Sequence, residues 1–347
     1  MKTTAKTHRC RLGSDGKSPA TGAIPTNGWQ PRRQLRKGAM AYRLRPDLKT
    51  GTAIAEMLGE LLQGAAADLD RGAEAQADER DRAVHLARRK LKRARALYRL
   101  IAPAIADLRR RENRRLGDIA RSLSALRDAA ALLESVEALQ EATLSDEEAD
   151  ALQQAWSLLS NRHERLSANL EAGQSAVMCD AADGCREAAD VAMGIEFNDR
   201  PAKVARIFAK AWAKTFKRAD AAIAACREGS EAESYHALRK ATQTYWMHLS
   251  LLRDLWPSAM EMKRSAAKQM ADLLGHENDL SVLISALDED SSLFAGGETL
   301  SHLLAIIIRQ QQALRRQALE AADALFADGP DLEPAVIEAL WLRAAAR

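Results

Sequence analysis

Between residues 83 and 100 the chain reads AVHLARRKLKRARALYRL, with one histidine, seven Lys or Arg residues and no acid. At about 100° per residue, His85, Arg88, Arg89, Lys92, Arg95 and Arg99 share one helical face. Val84, Ala87, Leu91, Ala94, Leu97, Tyr98 and Ile101 share the other and form the expected core side. Solvated helix faces usually mix charge signs, because like charges at i, i+4 destabilise a helix. A run without compensating acids therefore points to an anionic ligand. A second stripe, Lys203, Arg206, Lys210, Lys214 and Lys217, recurs at steps of three and four, with Phe208, Trp212, Phe216 and Ala219 behind it. RRRENRRL adds Arg110, Arg111, Arg114 and Arg115 ahead of Arg121.

If these stripes face a shared groove, their cations converge on a polyanion. Binding of that kind releases counterions and depends steeply on salt. Nucleic acid and inorganic polyphosphate both qualify. Sequence-specific DNA readers present Asn, Gln and Arg to base edges, and single-strand binders add aromatic platforms. Here the aromatic residues mostly take core-facing positions, and a bare phosphate chain needs only Lys, Arg and His.

The elements that must position these residues are helical. Ala and Leu dominate, aromatics make up 4%, and Pro19, Pro25, Pro31 and Pro46 are four of the nine prolines. Helix-length periods are expected at 50–71, 79–101, 104–141, 145–190 with at least one break, 199–227, 232–254, 258–288, 297–327 and 332–346. The fold expected is all-α.

The formal charge of +3 arises from 51 Lys plus Arg and 48 Asp plus Glu. Residues 1–39 contribute +8, leaving −5 for the rest, so an anion site in the folded part requires local segregation of charge. Residues 1–41 read as a disordered basic arm. A transit peptide would look similar, and a start at Met40 is a third reading. The cysteines Cys10, Cys179, Cys185 and Cys226 form no CxxC pair. Structural zinc and a disulfide framework are not expected, nor is a membrane span. The location expected is the cytoplasm.

The chain also repeats internally. VHLARRKL from Val84 matches YHALRKAT from Tyr235, placing His85 opposite His236, Arg88 opposite Arg239 and Arg89 opposite Lys240. Asp128 in LRDAAAL and Asp279 in ENDLSVL each follow their histidine by 43 residues. The two aspartates read as structural ion-pair partners holding helices in register, in preference to metal ligands. His85 and His236 could contact phosphate when protonated or hydrogen-bond structurally when neutral. His163, His248 and His302 read as surface or core histidines.

The tandem VHLARRKLKRAR…LRD and YHALRK…LLGHENDLSVL resembles the CHAD family, the conserved histidine α-helical domain, over residues 42–346. The resemblance implies two pseudo-symmetric antiparallel helical bundles, about 50–190 and 199–346, around a basic groove or pore. It also implies non-catalytic binding of inorganic polyphosphate, often at polyphosphate granules, with no cofactor or metal. The anion-facing residues it implies are His85, Arg88, Lys92, Arg93 and Arg95 in the first half, and His236, Arg239 and Lys240 in the second. Gln243, Thr244 and Trp246 stand where the family usually has bases. The site expected from the stripes and the resemblance together also includes Arg89, Arg99, Arg114, Arg121, Lys203, Arg206, Lys210 and Lys214. Two alternatives stand beside this one: a metal-assisted polyphosphate or triphosphate hydrolase, and a helical scaffold or general nucleic-acid binder. The ExExK strand motif of the triphosphate-tunnel domains often fused to this family is missing from the sequence, as are Walker-type and HExxH motifs.

Overall fold

The computed structural model describes residues 42–124, 128–196, 198–229, 231–289 and 297–346, except the side chains of 128–130, 163–172 and 289. The expected basic arm, residues 1–41, lies outside the described residues. So does the side chain of Asp128.

Among the described residues ten α-helices follow one another: α1 Thr50–Ala73, α2 Ala77–Leu100, α3 Ala106–Ser122, α4 Asp128–Ala138, α5 Asp146–Met193, α6 Pro201–Glu228, α7 Ala232–Leu251, α8 Pro257–Glu289, α9 Gly297–Leu325 and α10 Gly329–Ala345. No strand occurs among the described residues. Local chemistry sets several of the starts. Ser145 Oγ accepts from Glu148 N at 3.3 Å while the Glu148 carboxylate takes Leu144 N at 2.8 Å, which satisfies otherwise unpaired donors around the start of α5. Pro201 occupies the first turn of α6, where its missing N–H costs nothing. Asp199, just ahead of it, accepts Gly51 N of α1 at 2.6 Å and so ties the start of one half to the start of the other.

The duplication is visible in the helix register. α1 and α6, α3 and α8, and α5 and α9 all begin 151 residues apart, the same spacing as His85 to His236. The breaks differ between the halves. The expected helix 104–141 is split into α3 and α4, whereas its counterpart α8 runs unbroken. The break expected within 145–190 is absent, since α5 is continuous, and its counterpart is divided between α9 and α10 at Phe326 to Asp328.

Packing joins the halves twice. In the larger core α1 packs on α2 and α5, α6 packs on α7 and α10, and α2 crosses α6 and α7. At Gly72 a methyl would meet Ala83 Cβ at 2.6 Å, so glycine allows α1 and α2 to approach this closely. A second core is closed by α4, the start of α5, the end of α8 and the start of α9, with Leu132, Leu159, Leu283 and Ile306 inside. Three polar side chains in and around the larger core are paired through a carboxylate on α10. Glu333 Oε1 accepts from Trp212 Nε1 at 2.9 Å and from Tyr245 OH at 2.6 Å, and Oε2 accepts from Lys263 Nζ at 2.7 Å.

His248 lies fully buried where α7 meets α2. Its Nε2 donates to Ala96 O at 3.1 Å, and Nδ1 has no hydrogen-bond partner. Burial pulls this imidazole down to about 3, the Ala96 carbonyl acting against the shift and the Arg99 charge with it. The unfolded chain takes up a proton near pH 6.5 and the native ring does not, so the histidine's contribution to stability is intact above that pH. It falls by about 1.4 kcal/mol for each pH unit below it, until the native ring itself titrates. In His248→Gln this component is absent. The stability gap between wild type and variant, measured by urea unfolding, should therefore narrow as pH falls below 6.5, and a pH-independent gap would contradict the assignment.

Candidate functional site

The two apolar faces expected from the sequence are buried as a set. Val84, Ala87, Leu91, Ala94, Leu97, Tyr98 and Ile101, and Phe208, Trp212, Phe216 and Ala219, all lie in the larger core. Fixing those faces fixes the direction of the cations on the other side of α2 and α6. Arg95 and Arg99 of α2, Arg109 and Arg121 of α3, and Lys214 and Arg218 of α6 come within electrostatic reach of one another.

Arg99 is the most enclosed of these. Its Nη1 donates to Thr244 Oγ1 of α7 at 2.9 Å. Burial pulls it down to about 10, and Arg95, Arg109 and Arg218 act in the same direction. Arg95 is lowered by burial and then by Arg121 and Arg109; its Nε donates to Asn113 Oδ1 at 3.2 Å. Arg109 is lowered by burial and by Arg218, and its Nε is buried without a hydrogen-bond partner. Gly117 of α3 lies beside two of the guanidiniums, at a distance where a methyl would make ordinary van der Waals contact. A methyl there would sit 3.6 Å from Arg95 Nη2 and 3.7 Å from Arg121 Nη1. Among the described residues, the carboxylate whose charge registers at Arg95, Arg99, Arg109 or Lys214 is that of Asp118, which already pairs with Arg121.

Two unit charges 4 Å apart repel by about 1 kcal/mol in water and by about 4 kcal/mol at an effective dielectric of about 20. Apolar packing behind the helices therefore holds the cluster together against its own charge, and an anion with several oxygens is the natural counterpart.

Of the residues expected from sequence, Arg95, Arg99, Arg121 and Lys214 join this cluster. The sequence reading missed Arg109 and Arg218. The signal for Arg218 was its position four residues after Lys214, one turn further along the same stripe. Arg88 donates to Ala120 O at 2.7 Å and to Ser124 Oγ, at the last turn of α3, so it holds the helix that carries Arg109 and Arg121. Arg93 lies over the Tyr42 ring, 5.3 Å from its centroid, in the segment leading into α1. His85, Arg89, Lys92, Arg114, Lys203 and Lys210 are exposed. Arg206 lies 3.8 Å from Glu338 of α10.

The second half's motif turns toward α8. His236 Nδ1 lies 2.7 Å from Asn278 Oδ1, and burial, then Lys240, lowers the ring below its usual range despite that hydrogen bond. Arg239 is lowered by burial, with Asp279 and Glu277 acting the other way. Lys240 lies 3.7 Å from Glu233. Arg239 thus turns its charge toward the carboxylates of α8. Asp279 is exposed, and the buried carboxylate of this turn is Glu277, which takes Arg315 Nη2 at 2.8 Å and Gln311 Nε2 at 3.2 Å.

At the 151-residue spacing, the counterparts of Arg95, Arg99, Arg109, Gly117 and Arg121 are Trp246, Ser250, Met260, Lys268 and Asp272. Lys268 lies over the Trp246 ring at 5.8 Å and pairs with Asp272, and Arg264 pairs with Glu261 at 2.6 Å. This face carries its cations already neutralised. Among the described residues no group of His, Cys, Asp or Glu is arranged to hold a metal ion, and no helix is long and apolar enough to cross a membrane.

Fold and site together describe an all-helical, internally duplicated protein with a cation-rich cluster built from α2 and α3 of the first half and α6 of the second. A family model for the CHAD domain matches residues 60–288, and the chain belongs to that family. The crystal structure of the CHAD domain from the plant Ricinus communis is similar to it, at 20% identity over 83% of this chain and 95% of that one, with a TM-score of 0.57. At that identity the likeness establishes the fold. No curated protein matches the chain.

The crowding has a measurable consequence. Arg99→Gln keeps a donor near Thr244 and removes one of the mutually repelling charges. It should raise stability at low ionic strength by about 0.5–2 kcal/mol in thermal or urea unfolding, the range common for relieving a strained functional site. A loss of stability would show that Arg99 is a structural support.

Proposed function

We propose that this protein binds inorganic polyphosphate without cleaving it, through Arg95, Arg99, Arg109, Arg121, Lys214 and Arg218, and that it serves at polyphosphate granules. The observation that carries the reading is the enclosure of Arg99 among Arg95, Arg109 and Arg218, with no described carboxylate acting on Arg99 itself. A phosphate chain offers closely spaced anionic oxygens that suit several guanidiniums at once, and charge-assisted contacts of that kind are among the strongest hydrogen bonds available to a side chain. Family membership and the resemblance of the tandem histidine motifs support the same ligand. Recognition of this type requires no bases or grooves, which fits the burial of Trp212, Tyr245, Phe208 and Phe216 in the core.

The proposed site draws on α2, α3 and α6 and leaves out the second half's histidine motif. Each phosphate contact on a linear polyanion adds roughly 0.7–0.9 to the slope of log affinity against log salt in nucleic-acid systems. Replacing Arg95, Arg99 and Arg218 by Gln should weaken binding steeply and flatten that slope, whereas replacing Arg239 and Lys240 should do little of either. Titration with polyphosphate of defined length at two salt concentrations measures both quantities. Equal losses from the two sets would overturn a site without the second half's histidine motif, and phosphate release in the presence of Mg would overturn the non-catalytic part of the proposal.

A further inference from the structure

The helix α10 is held to the core along one side. Glu333, Pro334, Ile337 and Trp341 are buried, and the Trp341 ring meets Phe208 of α6 edge-on with ring centroids 4.7 Å apart. The opposite side is apolar as well. Leu332, Ala335, Val336, Ala339 and Leu342 are exposed there, within one arc of about 140° at 100° per residue. Leu332 keeps 59% of its surface in solvent and Leu342 37%. A surface helix ordinarily turns polar residues outward, and a contiguous apolar stripe in their place marks an interaction surface.

The order of the stripe indicates what covers it. Asp331, Leu332 and Ala335 precede Ile337 by six, five and two residues, and Arg343, Leu342 and Ala339 follow it by the same intervals. Asp331 and Arg343 are both exposed. Acid and base therefore stand at opposite ends of the stripe, while leucine mirrors leucine and alanine mirrors alanine. An antiparallel copy of the same helix brings the Asp331 end of each beside the Arg343 end of the other, and the alanines at the centre allow the backbones to approach closely. A parallel copy would set like charges together at both ends. The remaining acids of α10 are paired within the chain, Glu333 with Lys263 at 2.7 Å and Glu338 beside Arg206 at 3.8 Å.

We propose that this face of α10 is the contact of an isologous dimer, in which two copies of the chain meet antiparallel about Ile337. In such a twofold contact every pairing occurs twice, so a mirrored stripe is complementary to itself along its whole length. The helix has 17 residues, about 25 Å at 1.5 Å per residue. The contact is accordingly at the small end of specific interfaces, and the dimer forms at high protein concentration. The pairing does not depend on which anion the cation cluster takes.

Sedimentation velocity on the full chain over a concentration series, at low ionic strength where exposed charges count most, tests this. The protein should pass from monomer to dimer as its concentration rises into the high micromolar range. Ala339→Glu places a carboxylate at the closest approach of the helices and should weaken dimerisation by about tenfold or more, with helicity by circular dichroism unchanged. Asp331→Arg and Arg343→Asp should each weaken it several-fold. An equimolar mixture of those two variants should form heterodimers as readily as the wild type dimerises, because each then meets opposite charge at both ends. A protein monomeric throughout the series would overturn the proposal. So would a dimer indifferent to Ala339→Glu, which would lie on another face. A mixture that associates no better than either variant alone would overturn the antiparallel arrangement.

Discussion

The mutual repulsion of guanidinium groups is the constraint on which this structure turns. Left to solvent, Arg95, Arg99, Arg109 and Arg218 would spread apart, and each would be hydrated separately. They are gathered because the opposite faces of α2 and α6 are buried: Leu91, Ala94, Leu97, Tyr98, Phe208, Trp212 and Phe216 sit in one core. Burying a large apolar side chain contributes about 1.5–3 kcal/mol, so a few such residues outweigh the repulsion between partly hydrated cations. The core thus holds these cations close together against their repulsion, and Thr244 and Asn113 supply the neutral acceptors that orient two of them.

Duplication let the two halves diverge around one architecture. In the first half Arg88 holds the end of α3, and the helix break that follows separates α3 from α4. In the second half α8 is unbroken, and the equivalent motif is spent on contacts along it: His236 to Asn278, and Arg239 near Glu277 and Asp279. The face equivalent to the cation cluster carries Trp246, Lys268 and Asp272, whose charges cancel. Thr244, a departure from the family pattern, has a use across the boundary, since it receives Arg99 from the other half. The asymmetry of sequence is therefore an asymmetry of electrostatics, within a backbone that keeps its 151-residue spacing.

Much of this was legible in the residues. Apolar periodicity on α2 and α6 identified the buried faces residue by residue, because a two-faced helix leaves little choice about which side enters a core. The equal His-to-Asp intervals revealed the duplication. The α3 contribution was not legible: RRRENRRL places arginines all around the helix, so only its contacts with the rest of the fold select Arg109. Arg88 and Arg95 lie on one predicted stripe, yet the first reaches a carbonyl and a hydroxyl at the end of α3 and the second its middle, a difference that depends on where α3 stops. Neither Gly nor Pro marks that stop. Asp279 drew attention through its repeat partner, but burial of the turn fell to Glu277, which pairs with Arg315 from α9, far along the chain.

The most direct measurement of the central claim is a structure of the protein with a bound polyphosphate chain. The account places phosphate oxygens within hydrogen-bond reach of Arg95, Arg99, Arg109 and Arg218. Phosphate bound along Lys203 and Arg206 or around His236 and Lys240, with Arg99 left unengaged, would contradict it.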